Sequence, residues 1–237
     1  MFRKITLFAV MILLLTSEAS AQFPGAHSLF LPVVARSLLN VIPGQVTIKS
    51  YSTYQRGRDF YVVGEIVNST SHYVTDVTAH AEFEFGPSVL VPRNTSAYIR
   101  VLAPQQTAPF KIVVVGGTET LNNVHISFSY SCCDGGQYPY RYPVSIISSY
   151  FHDYYGVTIH GKYVNPHPFT LYDPILVATF YNELGQVVGV EANDRNLVGL
   201  VDGPLVSEYV ETFEIETTIL SSEFVTYTVQ AEGYAYP

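Results

Sequence analysis

The chain matches itself. Gly64-Glu65-Ile66-Val67-Asn68 reappears as Gly161-Lys162-Tyr163-Val164-Asn165, and the match continues without a gap: Asp76 falls on Asp173, Ala81 on Ala178 and Phe83 on Phe180. Upstream, Val46-Thr47-Ile48 corresponds to Val144-Ser145-Ile146. Downstream, Pro109-Phe110-Lys111-Ile112 corresponds to Thr212-Phe213-Glu214-Ile215. A repeat of about 100 residues is a whole domain rather than one unit of a solenoid. Whatever the fold is, about 100 residues must be able to build it, and build it twice.

The pattern inside the repeat is that of strands. Apolar and polar residues alternate over 46–51 and 74–85, and residues 60–67 form an apolar, β-branched run. Gln55-Arg56-Gly57-Arg58-Asp59 reads as a turn. Residues 98–102 and 110–115 are short apolar pieces bounded by Pro or Gly, and 124–130 alternates with Val124, Ile126, Phe128 and Tyr130 on one face. About seven short strands with turn signals between them are the mark of a sandwich. No window reads as an amphipathic helix, and residues 208–219 alternate instead. The composition agrees: 19 Tyr and 14 Phe without Trp, in a chain that is 48% hydrophobic and 14% charged, suit half-buried pleated surfaces. The predicted fold class is all-β, with two tandem immunoglobulin-like antiparallel β-sandwich domains at 45–131 and 144–237. A Cys/Gly/Tyr/Pro linker at 132–143 joins them.

The start of the chain has a different logic. Arg3 and Lys4 precede an apolar run over 5–15, and Ala19-Ser20-Ala21 supplies small residues. That order predicts a secretory signal peptide cut between Ala21 and Gln22. The apolar run is shorter than the roughly 20 residues of a membrane span. Residues 22–44 carry Pro24, Gly25, Pro32, Pro43 and Gly44 around an apolar piece at 29–34, and read as an extended leader. The expected location is secreted or at the cell surface, with no transmembrane span in the mature chain.

Two resemblances follow from these residues. The strand ending Gly-x-x-x-Asn, the next strand, and the turn and strand of Leu102-Ala103-Pro104-Gln105-Gln106-Thr107-Ala108-Pro109-Phe110 resemble the FxLYD family. Phe169-Thr170-Leu171-Tyr172-Asp173 spells its motif, and residues 180–189 resemble its hairpin. In the first copy, His72-Tyr73-Val74-Thr75-Asp76 keeps only the Asp. The resemblance implies small extracytoplasmic β-sandwich domains without enzymatic activity. The leader piece His27-Ser28-Leu29-Phe30-Leu31-Pro32-Val33-Val34-Ala35-Arg36 resembles segments behind the signal peptides of exported proteins in Chloroflexi-type bacteria.

Few residues propose chemistry. Cys132 and Cys133 are the only cysteines and are adjacent. In an oxidising compartment they are candidates for a vicinal disulfide, strained because neighbouring Cα atoms lie about 3.8 Å apart. Free or intermolecularly bonded thiols and a redox or metal role are the alternatives. The His residues show no ligand spacing, and the stretch from Glu191 to Asn196 lacks the spacing of a calcium loop. There is no Gly-x-Ser-x-Gly elbow and no phosphate-cradling loop. A net charge of −8 opposes nucleic-acid binding. Neither a cofactor nor a catalytic residue is expected. Tyr138, Tyr140, Tyr142, Tyr154 and Tyr155 are candidates for partner binding, against domain-interface packing as the plainer use of the same rings. The expected function is a non-catalytic secreted or envelope binding or structural module, partnered by an envelope protein or polysaccharide. The alternatives are a carbohydrate-binding module using exposed tyrosines and a surface assembly subunit that exchanges a strand.

Overall fold

The computed structural model describes residues 45–86, 89–116, 121–132, 141–154, 156–193 and 204–235. Among them the regular structure is β, apart from one 3₁₀ turn at Ser221–Glu223. The strands of the first repeat are β1 (Val46–Arg56), β2 (Asp59–Asn68), β3 (Val74–Phe85), β4 (Val89–Ser96), β5 (Val101–Leu102), β6 (Thr107–Val114) and β7 (Leu121–Cys132). Those of the second are β8 (Arg141–Pro143), β9 (Ser145–Asp153), β10 (Val157–Val164), β11 (Tyr172–Tyr181), β12 (Val187–Ala192), β13 (Val210–Glu216) and β14 (Thr226–Tyr234). All strand pairs are antiparallel. The chain is an all-β protein of stacked open sheets.

Both repeats wind alike. In the first, β1-β2-β6 form one sheet, and β3 of the other lies between β7 and the edge made by β4 and β5. In the second, β9-β10-β13 and β12-β11-β14 repeat the order. The counterpart of β5 is reduced to a bridge between Leu171 and Leu205. Residues 141–143, inside the segment read as linker, add β8 to the edge of β14 through Glu232–Pro143, Gly233–Tyr142 and Tyr234–Arg141. The missed strand is β4. Pro92 and the polar Arg93-Asn94-Thr95 hide it, and Pro is tolerated there because β4 is an edge strand.

The self-matching residues have a structural reason. A Cβ on Gly64 would lie 2.8 Å from the Phe110 ring and 2.7 Å from Ser50 O; one on Gly161 would collide with Phe213 and Ser148 O. Asn68 is fully buried and donates through Nδ2 to His72 O (2.8 Å) and Leu102 O (2.9 Å), while its Oδ1 accepts from Thr70 N at 3.0 Å. Asn165 does the same with Phe169 O (2.6 Å), Leu205 O (3.0 Å) and His167 N (2.9 Å). Each Asn therefore ties the end of a strand to the loop that follows it and to the facing edge. Asp76 (φ 53°) and Asp173 (φ 49°) are left-handed at matching bulges in β3 and β11. Asp tolerates that conformation better than most side chains.

Most strands bury one face, but β2 and β11 bury both. Phe60, Val62 and Ile66 of β2 enter a core shared with Phe83 and Phe85 of β3. Leu176, Ala178 and Phe180 of β11 enter a second core with Ile159 and Ile215. The alternate residues Val177 and Tyr181 of β11, with Val187 and Val190 of β12, pack into the first core instead. The result is four layers, in the order β4-β3-β7, β1-β2-β6, β12-β11-β14-β8 and β9-β10-β13.

Candidate functional site

The middle of the stack is polar as well as apolar. Ser52 Oγ donates to Val187 O at 2.5 Å, and Lys111 Nζ pairs with Glu191 at 2.6 Å. Gln230 Nε2 donates to Thr107 O at 3.1 Å. Glu65, 2% exposed, accepts from Tyr181 Oη at 2.8 Å and pairs with Lys49 at 3.1 Å. Burial, joined by the Glu65 carboxylate, pushes the Tyr181 hydroxyl's pKa up. Glu232, also 2% exposed, accepts from Arg100 N–H at 2.9 Å and from Arg141 Nη1 at 3.2 Å. Burial raises its pKa to about 7 against the pull of those two partners. Beside it a cleft of about 480 Å³ is lined by Tyr73, Ile99, Arg141, Tyr142, His167 and Glu232 from both repeats.

The residues singled out in the sequence fall in several places. Ala21, Gln22, Cys133, Tyr138, Tyr140 and Tyr155 lie outside the described residues. The backbone of Cys132 closes β7 opposite Val74. Tyr142 is half-buried on β8, edge-on to Phe169 at 4.8 Å and tilted against His167 at 5.2 Å. Tyr154 follows β9 and is 86% exposed. These two tyrosines are not brought together. β8 sits at the Tyr234 end of β14, whereas the turn after β9 sits at the opposite end of the second sandwich. The nine residues of β9 separate them by roughly 30 Å.

Tyr154 has other company. Tyr150 and His152 of β9 share the outer face of the fourth layer, and Tyr154, in the bend that follows the strand, lines the groove beside them. Register places Ser148, Lys162 and Thr212 in one row, Tyr150, His160 and Glu214 in the next, and His152, Thr158 and Glu216 in the third. Tyr150 stacks on His160 (5.6 Å, 22°) and meets His152 edge-on at 5.2 Å. His160 Nδ1 lies 3.8 Å from Glu214. A groove of about 620 Å³ runs over His152, Tyr154, Thr158, His160 and Glu216. Among the described residues no three His, Cys, Asp or Glu side chains converge on a metal position.

The same face in the first repeat is closed. Register puts Ser50, Ser52 and Tyr54 beside Glu65, Val63 and Tyr61, where the second repeat has Ser148, Tyr150 and His152 beside Lys162, His160 and Thr158. One copy presses its face against the third layer, and the other leaves it to water. The opposite end of the stack is polar: Thr78, His80, Glu82 and Glu84 of β3 alternate with its buried residues, and His125, Ser127 and Ser129 of β7 are exposed. Tyr150 and Tyr154 thus stand in water at one of two end faces that are mostly polar, with Val210 of β13 also exposed on that side. A period-two Tyr-x-His-x-Tyr run was the available sequence signal. Its partners on β10 and β13 needed the register.

No protein-family model matches the chain, and no curated protein matches it in sequence. Among the described residues no helix is long and apolar enough to cross a membrane.

Proposed function

We propose that this chain is an exported, non-catalytic binding module of FxLYD-type sandwiches, and that its ligand face is the outer surface of β9-β10-β13. The observation that carries this is Tyr154, 86% exposed, and Tyr150, 55% exposed, on a polar end face of the stack. Isolated exposed apolar residues are ordinary. Here two rings, two imidazoles and a groove coincide, and aromatic rings that keep a polar rim are the residues binding sites favour. The absence of catalysis is supported by how the buried ionisable groups are used: Glu65, Glu232 and Tyr181 are each engaged in contacts between layers. Export is supported by the order of basic, apolar and small residues before Gln22.

The test is a thermal-shift screen of the purified protein against soluble oligosaccharides, short peptides and nucleotides. The expected result is stabilisation by at least one compound, lost in Tyr154→Ala and kept in Tyr142→Phe. Stabilisation that is indifferent to Tyr154, or chemical turnover of any compound, defeats the reading.

A further inference from the structure

We infer that the ligand of this face is a neutral carbohydrate chain, an inference that rests on the face being a binding surface at all. The face is sorted by column. β9 supplies a phenol ring and an imidazole (Tyr150, His152), with Tyr154 in the bend just beyond it; β10 supplies a hydroxyl, an imidazole and an ammonium (Thr158, His160, Lys162), and β13 a hydroxyl and two carboxylates (Thr212, Glu214, Glu216). A pyranose ring has the matching division, an apolar C–H face on one side and a rim of hydroxyls that both donate and accept. Rings in the β9 column take the first, and the acceptors and donors of β10 and β13 take the second.

Spacing agrees. Neighbouring columns stand about 5 Å apart, and Tyr154, just past the end of β9, lies within roughly 13 Å of Tyr150 along the chain, the reach of about two sugar rings. The groove of about 620 Å³ lies within the usual range for ligand sites of about 300–1,000 Å³. Other occupants fit less well. Glu214 and Glu216, with a net charge of −8, repel phosphate and uronate polymers. A lipid or apolar helix needs a continuous apolar stripe, and the column beside the rings is polar. A cationic peptide could use the two carboxylates but gains nothing from the ordered imidazole and hydroxyl column, and it meets Lys162.

The experiment is native electrophoresis of the protein through gels containing galactomannan, xylan or mixed-linkage β-glucan, with poly-L-lysine binding by calorimetry as a parallel arm. The inference expects retardation in at least one polysaccharide. Tyr154→Ala should weaken it about tenfold, Tyr154→Trp should retain it and Tyr142→Phe should leave it unchanged. The exposed position of Tyr154 makes each variant foldable, checked by circular dichroism. Binding of poly-L-lysine that depends on Tyr154, without retardation by any polysaccharide, overturns the carbohydrate inference and leaves the binding face standing. No Tyr154-dependent binding in either arm removes both.

Discussion

At the scale of single residues, the paired glycines and asparagines are where the fold is least tolerant. Gly161 has no room for a methyl group between Phe213 and Ser148 O. Gly161→Ala should therefore cost about 2–3 kcal/mol through forced displacement of the ring and strand, measured by urea denaturation; a loss below about 0.5 kcal/mol would contradict that packing. Glu232 makes a different prediction. Its folded pKa of about 7 lies above that of an unfolded glutamate, so the folded chain holds a proton that the unfolded chain releases. The stability this contributes is complete below about pH 4.5 and is lost as pH rises through about 7, on the order of 3 kcal/mol in all. The stability of the native chain relative to Glu232→Gln should fall by about that amount between pH 5 and pH 8. A difference that does not change with pH would show that Arg141 and the Arg100 amide outweigh burial.

Single elements differ in how many sides are covered. β2 and β11 lie in inner layers, hydrogen-bonded on both edges and packed on both faces. β4 and β8 are edges, and β8 is only three residues long. Amide hydrogen exchange followed by mass spectrometry should find β2 and β11 slowest and β8 among the fastest. The reverse order would mean that the inner layers separate before the edges fray. Sequence pattern placed most strands because side chains alternate with period two. It missed β4, where Pro92 sits on an edge, and did not foresee β8, whose pairing comes entirely from Glu232–Tyr234, about ninety residues later.

For the molecule as a whole, the consequence of stacking is cooperativity. Val177, Tyr181, Val187 and Val190 of the second repeat pack into the core of the first, so separating the halves would expose an apolar face on each. Calorimetry should show one unfolding transition, with calorimetric and van't Hoff enthalpies equal within error. Two resolved transitions would show that the halves are energetically independent. Val63→Asp, which buries an unpaired carboxylate between the second and third layers, should lower stability by about 3 kcal/mol or more. It should do so for both repeats together, visible as one lowered melting temperature.

The duplication, the β class and the positions of most strands were legible from the chain alone, because alternation and the recurrence of Gly64/Gly161, Asn68/Asn165 and Asp76/Asp173 are local facts with local causes. The apolar run over 60–67, interrupted by Glu65, reads as a strand; that both its faces are buried is a finding of the structure. What covers that second side was not legible: the contact joins residues more than a hundred positions apart, and nothing local distinguishes a face that meets another sheet from one that meets water. The same limit governed the tyrosines. Tyr142 and Tyr154 are close in the chain, yet β9 runs the length of the sandwich between them and carries them to opposite ends. Tertiary structure alone decided that equivalent faces of two repeats take opposite roles, one sealed by its neighbour and the other left open with its aromatic rings in water.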